Sequence, residues 1–162
     1  MRCKIHVRVQ AEDFSVDSAL DELSHQASGA QATFIGRVRD SEGDLISLEL
    51  EHYPGMTEKA LERMAWQAAT SWPLQGITII HRIGKLMPGQ RIVLVATASA
   101  HRHDALAACS FLMDYLKKDA PFWKKETTQA GSHWVEARQS DQDALQRWEH
   151  ALKTHWQIHD HD

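Results

Sequence analysis

The chain has 162 residues, of which 43% are hydrophobic and 25% are charged, an ordinary composition for one soluble globular domain. Its net charge of −4 does not favour non-specific binding to nucleic acid or to an anionic membrane, so any anion site must be local. No stretch approaches the roughly 20 apolar residues of a membrane span, and the N-terminus lacks the continuous apolar run of a signal peptide. Cys3 and Cys109 are far apart, which argues against a disulfide framework and is typical of a reducing compartment. We therefore expect a cytoplasmic protein.

The first predicted elements are a strand, a helix and a second strand. Polar and apolar residues alternate at positions 4–9, the pattern of a strand with one buried face. Ser15 can cap a short helix that runs to about residue 25. A second alternating run covers residues 30–39, and Gly36 within it predicts a bulge or a close approach of two backbones.

The next strand and helix lie on either side of Pro54-Gly55. Residues 46–53 alternate most clearly, and turn-forming residues at 41–44 separate them from the preceding run, so the two runs are predicted to pair as a hairpin. Thr57 is predicted to cap the helix that follows. The apolar stripe of that helix consists of Leu61, Met64, Ala65 and Ala68.

The second half of the chain predicts three strands and two helices. In order, they cover residues 77–83 (strand), 91–100 (strand), about 103–118 (helix), 134–136 (strand) and 141 onward (helix, with Leu145, Trp148 and Leu152 inward). Residues between the first of these helices and the short strand are predicted to form a loop. The apolar side of that helix is predicted to hold Leu106, Cys109, Met113 and Leu116. Because hairpins outnumber β-α-β crossovers, we predict an α+β domain over residues 1–150 with a largely antiparallel sheet, and a frayed extension at 151–162.

Two basic clusters are candidate anion sites. His101 and Arg102 lie where a strand ends and a helix begins, and the free backbone N–H groups of a helix N-terminus favour an anion. Arg102 can bind phosphate through two parallel N–H groups, and His101 can exchange a proton near neutral pH. Arg37 and Arg39, predicted on one strand face, are the second cluster. A solvated surface is the alternative for both clusters, and spacing alone does not decide between the two readings.

Two lysine pairs surround Ala120-Pro121-Phe122-Trp123. Neighbouring ammonium groups and burial beside aromatic rings lower the pKa of a lysine, which then can act as an acid, a base or a nucleophile. The alternative is a charged helix end, since Lys117 and Lys118 complement the helix dipole there. His101 and Lys117 are separated by roughly 22 Å of helix. If both serve one small substrate, a second subunit must supply one of them.

Several long blocks resemble one family in the same order. They are LEHYPGMTEKAL (50–61), IHRIG (80–84), SAHR (99–102), MDYLKKDAPFWKKE (113–126) and WVEAR (134–138). Together they closely resemble the large, catalytic subunit of molybdopterin synthase. The resemblance implies an α/β hammerhead-type fold and a sulfurtransferase of molybdenum cofactor biosynthesis. Such an enzyme converts cyclic pyranopterin monophosphate into molybdopterin by installing two sulfurs as a dithiolene.

The resemblance also implies the partners. Sulfur arrives as a thiocarboxylate on the C-terminal Gly-Gly of a small ubiquitin-fold subunit, and a homodimer of large subunits with one small subunit at each end forms a heterotetramer. Because the partner carries the sulfur, no cofactor and no metal are expected. Neither nucleic acid nor a membrane is an expected partner.

The site residues follow by position in the family's motifs. Lys117 and Lys124 are implied to be catalytic, and Phe34 and Met113 to line the channel for the partner's tail. Substrate binding is implied for Arg37, Val38, Arg39, His101, Arg102, Lys125 and Glu126. The rival interpretation is a non-enzymatic module that binds a phosphoryl ligand or single-stranded nucleic acid, with the lysines on the backbone and Phe122 and Trp123 stacked on bases.

Overall fold

The structure is a computed structural model that describes residues 2–135, 146–147 and 149–150. In chain order the elements are β1 (Lys4–Gln10), α1 (Val16–Leu23), β2 (Ala30–Arg37), β3 (Leu45–His52), α2 (Met56–Ser71), β4 (Leu74–Arg82), β5 (Gly84–Leu86), β6 (Arg91–Ser99), α3 (Arg102–Asp119), β7 (Phe122–Thr128) and β8 (Gly131–Val135). Residues 146–147 and 149–150 are helical. The other parts of the predicted last helix, and the predicted extension at 151–162, lie outside the described residues. Within the described part of the chain, no helix is long and apolar enough to cross a membrane.

The first sheet has the strand order β1-β4-β6-β2 and forms the centre of the molecule. β1 and β4 are parallel, and the other two pairs are antiparallel. The central strands β4 and β6 are buried along almost their whole length, because α2 and α3 pack on one face of the sheet and α1 on the other. A sheet covered on both faces needs apolar residues on both sides of its strands.

The second sheet is antiparallel throughout, with the order β5-β3-β7-β8. It has a small core of its own, formed by Val38, Leu48, Leu50 and Leu86. Every residue of β8 is exposed. Over residues 2–135, the three helices α1 to α3 and two mostly antiparallel sheets confirm the predicted α+β class.

The predicted hairpin between residues 30–39 and 46–53 is wrong. β2 pairs with β6 in the first sheet, whereas β3 pairs with β5 and β7 in the second. A bulge between Gly36 and Arg37, as the glycine predicted, ends the regular pairing of β2. Beyond it the backbone of Val38 exchanges hydrogen bonds with Gly89 and Gln90, both at 2.8 Å. The chain therefore leaves the first sheet before the turn at 41–44, and that turn connects two sheets.

The segment predicted as a loop after α3 contains the strand β7. Its sequence, FWKKETT, puts two aromatic residues and then two lysines side by side, so no alternation of apolar and polar residues marks it as a strand. Pairing with β3 on one side and β8 on the other satisfies its backbone groups. Most of its residues are half-buried.

The predicted helix caps have different outcomes. The hydroxyl of Ser15 accepts a hydrogen bond from the N–H of Ser18 at 3.2 Å, which confirms it as the cap of α1. Thr57 does not cap α2, because the helix begins one residue earlier, at Met56. The carboxylate of Glu58 instead accepts a hydrogen bond from the N–H of Gly55 at 2.6 Å. The Thr57 hydroxyl is buried and joins distant segments, as described below.

The predicted stripe of α2 is confirmed, since all four residues are buried. On α3 the prediction fails for Leu106, whose side chain is 60% exposed, while Cys109, Met113 and Leu116 are buried. The buried stripe of this helix is centred on Ala105, Ala108 and Leu112. Leu106 comes one residue after Ala105 and therefore lies about 100° further around the helix, outside the stripe.

Candidate functional site

The N-terminus of α3 presents His101 and Arg102 to solvent, at the end of β6 as the sequence predicted. His101 is the capping residue, with extended backbone and no hydrogen bond from its side chain to the helix. The hydroxyl of Ser99 donates to the His101 carbonyl and fixes the turn between strand and helix. The imidazole and the guanidinium thus lie beside free helix N–H groups, an arrangement that suits an anionic ligand.

The end of β2 presents two more arginines. Arg37 and Arg39 are exposed, and Val38 between them is buried against the second sheet. Arg37 donates to the carbonyl of Gly89 at 2.9 Å, so part of its hydrogen-bonding capacity is used within the fold. The bulge at Gly36 interrupts the strand before Arg37, and the predicted regular strand face that would carry both arginines does not extend to Arg39.

The residues of β7 point to opposite faces of the second sheet. Lys124 lies opposite the buried Leu50 and therefore projects from the inner face of the sheet, since directly opposite residues share a face. Lys125 lies opposite Glu49 on one side and Trp134 on the other, and projects from the outer face. Lys124 and Lys125, both implied site residues, therefore lie on opposite faces of the second sheet.

Glu126 shares the inner face with Lys124. One oxygen of its carboxylate lies 3.4 Å from Nε2 of His133 on β8. This pair is partly exposed, so its contribution to stability is small. Its position two residues from Lys124 nevertheless adds an acidic group on the same face of the sheet.

Two histidines near Lys124 were not predicted from the sequence. His81 ends the buried run of β4, is 3% exposed and stacks on Phe122, with 3.8 Å between ring centroids and 18° between planes. His52 lies opposite Phe122 in the pairing of β3 with β7, and its Nε2 lies 3.4 Å from Oε1 of Glu58. The only sign of them in the sequence is a histidine at a core-facing position of a strand, His52 in β3 and His81 in β4.

Burial keeps His81 neutral. Loss of hydration, with smaller contributions from the nearby charges of Lys124 and His52, lowers the pKa of His81 to about 4, because the charged form cannot be solvated in the interior. Nδ1 lies 2.8 Å from the carbonyl oxygen of Arg82. A carbonyl only accepts, so Nδ1 carries the proton of the neutral ring and Nε2 keeps its lone pair.

The residues implied for the partner's tail lie near the contact of β2 with α3. Phe34 is 39% exposed on the edge strand, and Met113 is 9% exposed on the helix. Cys109, one turn before Met113, donates from its thiol to the carbonyl of Val95 at 3.7 Å. Burial raises the pKa of Cys109 to about 11, which leaves this thiol protonated at neutral pH.

Lys117 is exposed in the last turn of α3, at the far end from His101 and Arg102. The helix is continuous over 18 residues, which puts Arg102 and Lys117 roughly 22 Å apart along its axis. Lys117 lies at the end of the molecule where α3 leads into β7 and Lys124. Within one chain, His101 and Arg102 therefore lie at one end of α3 and Lys117 at the other. Arg39 follows the Arg91 end of β6, away from the Ser99 end that leads to His101.

No group of three or more His, Cys, Asp or Glu side chains suited to a metal ion occurs in the part of the chain that the structure describes. The histidines of the tail, at positions 155, 159 and 161, lie outside the described residues.

The sequence and the fold match one family. The model of the MoaE protein family matches residues 9–119. A molybdopterin synthase catalytic subunit from Vibrio cholerae is 53% identical over 146 residues, which cover 88% of this chain and 97% of that relative.

Solved structures agree with the sequence match. A molybdopterin biosynthesis MoaE protein from Burkholderia ambifaria has a TM-score of 0.79 and 49% identity, covering 90% of this chain and 98% of that chain. A molybdopterin synthase from Staphylococcus aureus has a TM-score of 0.76 and 32% identity, covering 80% and 96% of the two chains. The chain belongs to the MoaE protein family.

Proposed function

We propose that this chain is the catalytic subunit of a molybdopterin synthase, which converts cyclic pyranopterin monophosphate into molybdopterin in the cytoplasm. The observation that carries the proposal is the 53% identity to the Vibrio cholerae catalytic subunit over 97% of that relative's length. Identity at this level over nearly a whole protein, in a fold shared with solved members of the family, supports the same reaction.

The state of the cysteines supports a partner as the source of sulfur. Burial raises the pKa of Cys3 and of Cys109 to about 11, so both are thiols rather than thiolates at neutral pH, and a thiol is a poor nucleophile. Sulfur is instead delivered by the thiocarboxylate of a small ubiquitin-fold subunit. At each position the sulfur forms a carbon–sulfur bond as a carbon–oxygen bond of the pterin side chain breaks, and that oxygen leaves as water or stays with the phosphate when its ring opens. Water then cleaves the acyl–sulfur bond to release the partner as a carboxylate. No cofactor or metal is required.

The charged residues have two separate roles, phosphate binding and sulfur transfer. His101 and Arg102 of one chain and Arg39 of the other bind the cyclic phosphate and stabilise the negative charge as the ring opens. Within one chain Arg39 follows the Arg91 end of β6, whereas His101 and Arg102 follow the Ser99 end. Lys117 and Lys124 lie at the other end of α3 and act on the sulfur transfer, either at the attacking thiocarboxylate or at the acyl intermediate. Phe34 and Met113 line the channel for the tail.

The two groups of residues favour a site shared between two chains. Arg102 and Lys117 lie roughly 22 Å apart along one helix, too far to contact one pterin. A symmetric dimer can place the N-terminus of α3 of one chain beside Lys117 of the other. We infer that this symmetric dimer is the homodimer of large subunits, which forms a heterotetramer with two small subunits.

The packing of the aromatic rings weighs against a nucleic-acid binding module. Phe122 stacks on His81, and the ring of Trp123 meets that of Tyr53 edge to face at 4.1 Å between centroids. Base stacking needs free ring faces, and here one face of Phe122 is covered by His81 and Trp123 contacts Tyr53 within the fold.

A single-turnover assay tests the proposal. The chain is mixed with cyclic pyranopterin monophosphate and the thiocarboxylated small subunit of a relative's synthase, and molybdopterin is measured as its fluorescent oxidation product. Lys118→Ala is the matched control for Lys117→Ala, because both lysines lie in the last turn of α3. We expect product from the wild type and from Lys118→Ala, and none from Lys117→Ala. Full activity of Lys117→Ala would refute the assigned role, and absence of product from the wild type would refute the reaction.

A further inference from the structure

We propose that His81 is a positioning residue for Lys124, a role that rests on the function proposed above. Its flat, neutral ring holds Phe122 at the start of β7 and thereby fixes the direction in which Lys124, two residues later, leaves the inner face of the second sheet. His81 acts through Phe122 and does not contact the substrate.

The first step is the rigidity of His81 itself. β4 lies between β1 and β6 in the first sheet, and His81 projects from the same face as Ile77 and Ile79, which are fully buried. Burial and stacking on Phe122 hold the plane of the ring, and the hydrogen bond from Nδ1 to the Arg82 carbonyl is an added restraint. The ring is therefore a fixed surface that belongs to the central sheet.

The second step is that Phe122 is held on several sides. One face of its ring stacks on His81, and His52 lies beside it on β3. The residue before it, Pro121, accepts a hydrogen bond at 3.1 Å from the buried hydroxyl of Thr57. That hydroxyl also accepts the N–H of Tyr53 at 3.0 Å. The start of β7 is thus fastened to β4, to β3 and to the first turn of α2.

The third step connects this arrangement to Lys124. Residues two apart on a strand share a face. Lys124 and Phe122 therefore project in the same direction, and Trp123 between them projects in the opposite one. The titratable groups whose charges act on His81 are Lys124 on β7 and His52 on β3. The carboxylate of Glu58 on α2 lies beside His52. A neutral ring at this position leaves the ammonium group of Lys124 without an added cation beside it.

The chemistry explains why a precise direction is required. A lysine that acts on a thiocarboxylate must hold its nitrogen within hydrogen-bonding distance of the reacting atoms. A displacement of about 1 Å at such a group can lower a rate by about a hundredfold. Lysine has four rotatable carbon–carbon bonds, so its attachment point must be fixed by the surrounding packing.

Two apolar substitutions separate the effect of a flat ring from the effect of filling the space. His81→Phe keeps a flat ring against Phe122, while His81→Leu fills the space without one, and both lose the bond to the Arg82 carbonyl. Ile79→Val, on the same face of the same strand, is the control for a modest loss of core packing. The small subunit of a relative's synthase is the binding probe.

We expect the single-turnover rate of His81→Leu to fall by about tenfold or more with an unchanged Kd for the small subunit. We expect His81→Phe and Ile79→Val to stay within about threefold of the wild type. Equal rates for the Leu and Phe variants, whether both high or both low, would overturn the proposal. If His81→Leu does not fold, a loss of activity in folded His81→Phe to below about a tenth of the wild type would overturn it as well.

A second measurement is independent of turnover. Lysines are dimethylated with ¹³C, and the signal of Lys124 is assigned with Lys124→Arg. We expect this signal to shift in His81→Leu and to stay in place in His81→Phe and Ile79→Val; an unmoved signal in His81→Leu would contradict the positioning role. If the wild type makes no molybdopterin but the Lys124 signal follows this pattern, the proposed reaction fails while the positioning of Lys124 by His81 stands.

Discussion

Replacing His81 with phenylalanine is expected to make the protein more resistant to acid. The pKa of His81 is about 4 in the folded chain, against an ordinary value of about 6.5. The unfolded chain therefore takes up a proton at this residue between these two values, and the folded chain does not. Stability is lost as the pH falls from about 6.5 towards about 4, and the loss is complete only below the lower value.

The magnitude follows from the gap between the two pKa values. Each pKa unit corresponds to about 1.4 kcal/mol, so the full effect is about 3 kcal/mol, of which about 2 kcal/mol is reached by about pH 5. Phenylalanine cannot bind a proton, and His81→Phe should lack this part of the pH dependence. Its stability at pH 7 should be lower than that of the wild type because the Arg82 carbonyl loses its partner.

Urea unfolding at about pH 7 and about pH 5 measures the effect. The difference in unfolding free energy between the two pH values should be about 2 kcal/mol smaller in His81→Phe than in the wild type. The other titrating groups are the same in both proteins, so they cancel in this comparison. Parallel pH dependence in the two proteins would refute the neutral, buried state of His81.

Two further predictions concern Thr57 and the cysteines. Thr57→Val removes the hydroxyl that joins Tyr53 to Pro121 and should destabilise the chain by about 1–3 kcal/mol, measured by urea unfolding, whereas an unchanged midpoint would show that this bridge contributes nothing. Cys3→Ser combined with Cys109→Ala should retain molybdopterin formation, because both thiols are protonated at neutral pH; loss of turnover in the folded double variant would contradict the partner as the sulfur source.

Local features of the fold were predictable because they depend on residues close in sequence. Ser15 caps its helix, the stripe of α2 is buried, and the strands β4 and β6 occur where alternating and apolar residues indicated them. The partners of β2 and β3 were not predictable in this way, since periodicity identifies which face of a strand is buried but not which distant strand lies beside it. The turn at 41–44 is a local signal, and it was consistent with either arrangement.

The candidate site was predictable in its residues and less so in its geometry. The family blocks contain Lys117 and Lys124, whose roles remain predictions. Because the sequence of β7 predicts a loop, it does not predict the opposite directions of Lys124 and Lys125, which follow from the period of two in a strand. The sequence does not predict a role for His81, because the ring that stacks on it belongs to β7, which is far from it in sequence.

Activity in mixed dimers distinguishes a site shared between two chains from a site within one chain. Lys117→Ala and Arg102→Ala chains are each inactive or strongly impaired if both residues serve catalysis. In a mixed dimer whose site is shared between chains, one site carries both substitutions and the other carries neither. Random mixing in equal amounts makes half of the dimers mixed, so molybdopterin formation in the single-turnover assay should recover to about a quarter of the wild-type yield. Yields that stay at the level of the separate variants, with exchange of chains verified, would contradict a site built from two chains.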